Sequence, residues 1–245
     1  MNPLDTFVKS ILKEHRENII SILQFGSKKK SKESDIDLFI LLKKRDDIQK
    51  IIKTIRESEN LIHLSHTPFT YFLESHFLVS NEYTGIHSIL IGKDELTEEF
   101  KPKSIRLKIL TNFLISNTIF LHNLKKQYQI LYGRDVIKNI KIPLMKKRDK
   151  YLCFPLSYLI LCCALFTFPN KNTFKIWCFK ATKYYVENMR VYTGTKDLPL
   201  DLKMYSVAQK YRYNPEQYRG SRLLLYMLSW KSLIKNCFIV LYRKG

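Results

Sequence analysis

The chain has 245 residues, 45% of them hydrophobic, with only 7 glycines. That allows one large domain or two small ones with a real core and excludes a disordered chain. Formal net charge is +20, and its placement is uneven: residues 1–96 hold 14 Lys/Arg and 14 Asp/Glu, whereas residues 97–245 hold 28 and 8. A field of that size attracts polyanions such as nucleic acid or an anionic membrane surface, although a lysine-rich soluble surface gives the same count. The five cysteines, Cys153, Cys162, Cys163, Cys178 and Cys237, form no C-x-x-C pair and are odd in number. They suggest no zinc site or disulfide framework and fit buried free thiols in a reducing compartment.

Residues 4–21 carry Leu4, Phe7, Val8, Ile11, Leu12, Ile19 and Ile20 at helical spacing and predict an amphipathic helix. No signal peptide is expected, because charges begin at residue 5, and a cytoplasmic setting follows from that and from the thiols. Residues 22–25 (ILQF), stopped by Gly26, and residues 36–42 (IDLFILL) predict strands. Ile48, Ile51, Ile52 and Ile55 share one face of a helix over 46–58, and residues 61–73 resemble a third strand interrupted at Pro68. Strands alternating with helices point to an α/β unit.

After residue 96 the pattern changes to long apolar-periodic segments at 104–127, 152–167, 172–190 and 220–242, separated by proline and polar clusters. They predict a helical domain, with the boundary in the stretch 96–103. The expected architecture is thus an α/β (α+β) domain with a small mixed sheet over 1–96, then an all-α basic domain over 97–245. Residues 151–170 carry no charge over 20 positions. Pro155, Ser157, Pro169 and Asn170 shorten the apolar part to roughly 14 residues, which favours a buried core helix over contact with a membrane.

Two acids stand out in ILQFGSKKKSKESDIDLFILL, residues 22–42. Alternation along a strand sends Asp35 and Asp37 to one side and Ile36, Leu38 and Ile40 to the other. Two carboxylates this close stay ionised together only around a cation. Mg²⁺ takes such oxygens and keeps phosphates as partners. Gly26 allows close backbone approach to a ligand, and Ser27 offers a hydroxyl and an amide to a phosphate. The alternative is plain: Ser34-Asp35 as a turn cap and Asp37 on the solvent face of an edge strand.

The ordered set FGS, short linker, SDIDLFI resembles the nucleotidyltransferase superfamily that includes DNA polymerase β, the CCA-adding enzymes and the minimal nucleotidyltransferases. The resemblance covers residues 22–42 in motif and 1–96 in organisation. It implies that Gly26 and Ser27, with Ser34 beside them, hold the triphosphate of an NTP, ATP foremost. It also implies that Asp35 and Asp37 bind one or two Mg²⁺, and that the reaction is nucleotidyl transfer to a hydroxyl with release of pyrophosphate. Two departures stand against the pattern. The linker KKKSKE, residues 28–33, is shorter than usual. The family's third carboxylate would fall within 61–73, where Thr70 or His66 stands instead and Glu74 is the nearest acid.

His63, His66, His76 and His87 lack ligand spacing and read as packing or surface residues. ILYGRDVI, 130–137, resembles a segment downstream in several nucleotidyltransferases, or is simply a turn around Gly133. No histidine follows His122, so residues 123–245 cannot carry an RNase that needs one. KYRYNPEQYRGSR, 210–222, interleaves cations with tyrosines as single-stranded RNA binders do, or as a basic loop with inward-packed rings does. The acceptor expected from the basic second part is RNA. The alternatives are a degenerate nucleotide- or RNA-binding protein, and AMP transfer to a partner protein or small molecule.

Overall fold

The computed structural model describes residues 3–25, 36–46, 48–59, 86–96, 100–194 and 200–242. Two compact units are present: Met1–Lys108 with Asn123–Pro143, and Ile109–His122 with Leu144–Gly245.

In the first unit, α1 (Pro3–His15) and α2 (Ile48–Glu59) accompany four strands: β1 (Ile19–Phe25), β2 (Ile36–Leu42), β3 (Ile86–Gly92) and β4 (Tyr128–Gly133). The sheet order is β3-β2-β1-β4. β1 runs antiparallel to both β2 and β4, and β2 runs parallel to β3, so the sheet is mixed as expected. The helix expected over 4–21 stops at His15. Asn18 ends it by pairing with the strand exit: its amide donates to Lys44 O (3.1 Å) and its side-chain oxygen accepts from Lys44 N (2.9 Å). Ile19 and Ile20 therefore belong to β1.

One core joins these parts. Phe7 and Ile11 of α1, Ile51 and Ile55 of α2, and Ile22, Leu38, Ile40 and Leu42 of the strands are all buried together. The helices are also latched by a polar link. Thr54 donates to the Glu14 carboxylate (2.7 Å) and accepts from His15 Nε2 (2.8 Å).

β4 lies beyond residue 96 yet forms a sheet edge, ending in the segment read from sequence as a turn at Gly133. Gly133 has φ +78°, and a Cβ there would stand 2.1 Å from Ile20 O. Only glycine permits that close approach of β4 to β1.

α3 (Ile105–Ile109), almost wholly in the first unit, leads into a π-helical turn (Leu110–Leu114) that belongs to the second. α4 (Asn117–Lys126) starts in the second unit and ends in the first, and the second unit then holds α5 (Lys147–Tyr151), α6 (Pro155–Ala164), α7 (Lys171–Thr193), α8 (Lys203–Tyr211) and α9 (Arg222–Tyr242). The single helix expected over 104–127 is broken at Ile115, which is extended. Ser116 restarts it as an N-cap, its Oγ accepting from Ile119 N (3.0 Å).

α7 is the centre of this unit. Asn170 caps its start, accepting from Thr173 N (3.1 Å), and left-handed Gly194 (φ 66°) ends it. Its buried residues include Phe174, Trp177, Phe179, Tyr185 and Met189. The segment 151–170 holds α6 and a short 3₁₀ turn, Leu165–Thr167, with Leu156, Ile160 and Leu161 buried. Cys153, Cys163 and Cys178 are buried and Cys237 is half-buried, but Cys162 is exposed on α6, against the expectation that all five are buried.

At the C-terminal ends of β2 and β3, buried Glu95 accepts from Gly92 N (2.8 Å), Lys103 N (2.5 Å) and the Arg45 guanidinium. Removing the cation strands a buried charge. Arg45→Met should lower unfolding free energy by about 3 kcal/mol in urea titration; a loss under about 1 kcal/mol would mean that the two amides suffice. Burial pushes the Cys178 thiol up to about 12 and raises Cys153 as well. Native alkylation at mildly alkaline pH should modify Cys162 while Cys153 and Cys178 stay unreacted, as read by mass spectrometry before and after denaturation.

Candidate functional site

Asp37 is the one sequence-predicted site residue among the described residues. Gly26, Ser27, Ser34 and Asp35 lie outside them, as do Glu74, His63, His66, His76, Thr70 and the strand expected over 61–73. Asp37 is half-buried near the start of β2. Leu38, Ile40 and Leu42 belong to the helix-packed core, so alternation puts Asp37 with Phe39 and Leu41 on the opposite face. The same strand that buries its even positions under α1 and α2 thereby keeps an acid off the helices.

Asp37 pairs with Phe25, the last residue of β1, in the antiparallel ladder. The chain leaves β1 toward Gly26 at the position where it enters β2 toward Asp37. On the other side Asp37 stands in register with His87 of β3. Sequence reasoning did not pick out β3 as a strand; its signal is IHSILIG, a β-branched run closed by Gly92. No acid occurs in β3. Among the described residues no group of three or more His, Cys, Asp or Glu gathers as a metal site.

The basic, tyrosine-rich segment 210–222 is internally packed. Tyr218 meets Tyr211 (5.4 Å between ring centroids) and Phe179 (5.7 Å) edge-on. Arg212 lies over the Tyr213 ring at 5.1 Å. Lys175 is almost fully buried, yet no carboxylate is its partner in the hydrogen bonds that hold this segment. It donates to Pro215 O (2.9 Å) and Tyr218 O (2.7 Å), and burial holds its ammonium below its ordinary pKa. All three tyrosines in the stretch, Tyr211, Tyr213 and Tyr218, therefore spend their edges or faces on the protein itself.

No protein-family model and no curated protein matches the chain. A solved structure similar to it is the spectinomycin adenyltransferase AAD(9) from Enterococcus faecialis, crystallised with ATP and spectinomycin. The match covers 96% of this chain and 93% of that one, at 16% identity and a TM-score of 0.46.

The Lys175 clamp has a measurable consequence. Lys175→Met keeps most of the apolar stem and leaves two carbonyls without their donor. The variant should lose about 2 kcal/mol of stability and expose the 212–221 backbone to faster amide hydrogen exchange. Unchanged exchange there would show that ring packing alone holds the segment.

Proposed function

We propose that the protein transfers a nucleotidyl group from an NTP, with ATP the leading donor, to a hydroxyl acceptor. The observation that carries this reading is the Phe25–Asp37 pairing. It joins the exit of β1 to the entry of β2, where the adjoining residues are FGS and SDIDL, with Asp37 on the face away from the helices. The donor chemistry fits Mg²⁺: Asp37 supplies hard carboxylate oxygens, and Asp35, two positions earlier, doubles them. When bound, Mg²⁺ would offset the charge of the phosphates and of the leaving pyrophosphate. Gly26 and Ser27 would hold phosphate oxygens through amide and hydroxyl. The acceptor hydroxyl releases its proton to solvent and its oxygen forms a bond to the α-phosphorus as the bond from that phosphorus to pyrophosphate breaks.

The acceptor proposed is RNA, supported by the 28 Lys/Arg against 8 Asp/Glu in residues 97–245. One observation favours a second reading. His87, not an acid, is in register with Asp37, and β3 holds no carboxylate. That suits a protein that binds nucleotide without turnover.

Incubation with α-phosphate-labelled ATP, Mg²⁺ and lysate tests both. Label in RNA supports the full proposal; label in protein or a small molecule keeps the reaction and replaces the acceptor. Asp37→Asn should cut transfer by on the order of a hundredfold or more. Mg²⁺-dependent NTP binding without transfer supports the second reading, and absence of NTP binding overturns both.

A further inference from the structure

α9 is amphipathic in the wrong sense for a helix facing water. Its buried side carries Leu225, Leu233 and Val240 together with Ser229, Ser232 and Asn236, which are all buried. These polar groups are satisfied internally. Ser229 donates to Leu225 O (2.9 Å), Ser232 shares a hydrogen bond with Tyr185 of α7 (2.8 Å), and Asn236 donates to Tyr185 Oη (3.0 Å) while accepting from Asp201 N (2.7 Å). The outward side carries Leu223, Met227, Ile234 and Phe238 in one line along the helix, each 42–59% exposed. A water-facing stripe is ordinarily polar.

A second element also carries exposed apolar side chains. Leu165 and Phe166, at the end of α6, are 52% and 63% exposed. The first residue of α9 reaches the end of this segment: the Arg222 guanidinium lies 4.5 Å from the Phe168 ring centroid and donates to Phe168 O (2.5 Å). Single exposed apolar residues need no account, but four in one line along a helix mark a place of contact.

Charge selects the occupant. From residue 150 to residue 186 there is no Asp or Glu, and α9 has none either; its charges are Arg222, Lys231 and Lys235. A second copy of this chain docked isologously would set these cations against themselves. RNA would meet cations but leave Leu, Met, Ile and Phe wet. An anionic lipid surface accommodates both kinds of group, with side chains at the headgroup–acyl boundary and ammonium groups among the phosphates. The fixed Tyr185–Ser232–Asn236 network keeps the other side of α9 on α7, so the helix would lie on the bilayer rather than cross it.

We propose that the exposed apolar side of α9, with Leu165 and Phe166, is a docking face for an anionic membrane surface. The proposal does not rest on nucleotidyl transfer, and its test uses no nucleotide.

The full-length chain is sedimented with vesicles of phosphatidylcholine alone and of phosphatidylcholine with phosphatidylglycerol. Partition onto the anionic vesicles, weak partition onto the neutral ones, and weakening by salt are expected. Met227→Ser with Phe238→Ser should lower anionic partition about tenfold or more. Lys231→Glu should weaken it with the apolar side intact. Both variants alter exposed positions, and an unchanged thermal transition confirms their fold. Absence of partition, or partition indifferent to these changes, overturns the proposal. So does a concentration-dependent dimer that the double serine variant dissolves while no vesicle binding occurs, which would make a second copy the occupant.

Discussion

Everything at the candidate site depends on the two-residue alternation of β2. Leu38, Ile40 and Leu42 must face α1 and α2, because they complete the core with Phe7, Ile11, Ile51 and Ile55. A slip of one residue would turn all three toward the other face and bring Asp37 under the helices. The cost of desolvating a carboxylate there makes the register self-enforcing. The far end of the same strand pair is pinned independently, where Arg45 and two amides satisfy Glu95. One end of β2–β3 is thus closed by an ion pair between half-buried Arg45 and buried Glu95, while the end that carries Asp37 keeps a half-buried acid.

Much of this was legible in the sequence. β2 was read at Ile36–Leu42, the bounds observed, because a run of Ile, Leu and Phe between charges has no competing reading. The opposite faces of Asp37 and of Leu38 and Ile40 followed from the pleat alone. Other elements were hidden by contacts distant in sequence. Ile19 and Ile20 extend the helical period of α1, but Asn18 finds its partners at Lys43 and Lys44, and no local pattern shows that. β4 is separated from β1 by about a hundred residues of chain and is half-exposed along its length, so its alternation is weak. The break at Ile115 was local and could have been found: Ser116 with a receptive amide three residues on is a cap signal inside an apolar run. Lys175 was invisible, since a lysine between Phe174 and Trp177 reads as an outward charge until the carbonyls of Pro215 and Tyr218 are brought to it.

The helical unit shows why hydropathy along a chain is a poor guide to which side of a helix is inside. Segments 147–167 and 222–240 are both long and apolar enough to cross a membrane by composition. Half of the first window is buried but only a third of the second, so equal composition hides different placement. In α6 the apolar residues are consumed by packing, with Leu156, Ile160 and Leu161 inside. In α9 the polar residues are consumed, because Ser232 and Asn236 are needed to satisfy Tyr185 and the backbone at Asp201, while Ser229 bonds Leu225 O within the helix. An internal polar network is stable only if every member is paired, and here the pairing fixes the rotation of α9 about its axis. Once that rotation is fixed, Leu223, Met227, Ile234 and Phe238 have no place but the surface. The exposed apolar stripe and the buried polar network are therefore one feature, and a change that broke the Asn236 bonds would release α9 to turn its apolar side inward.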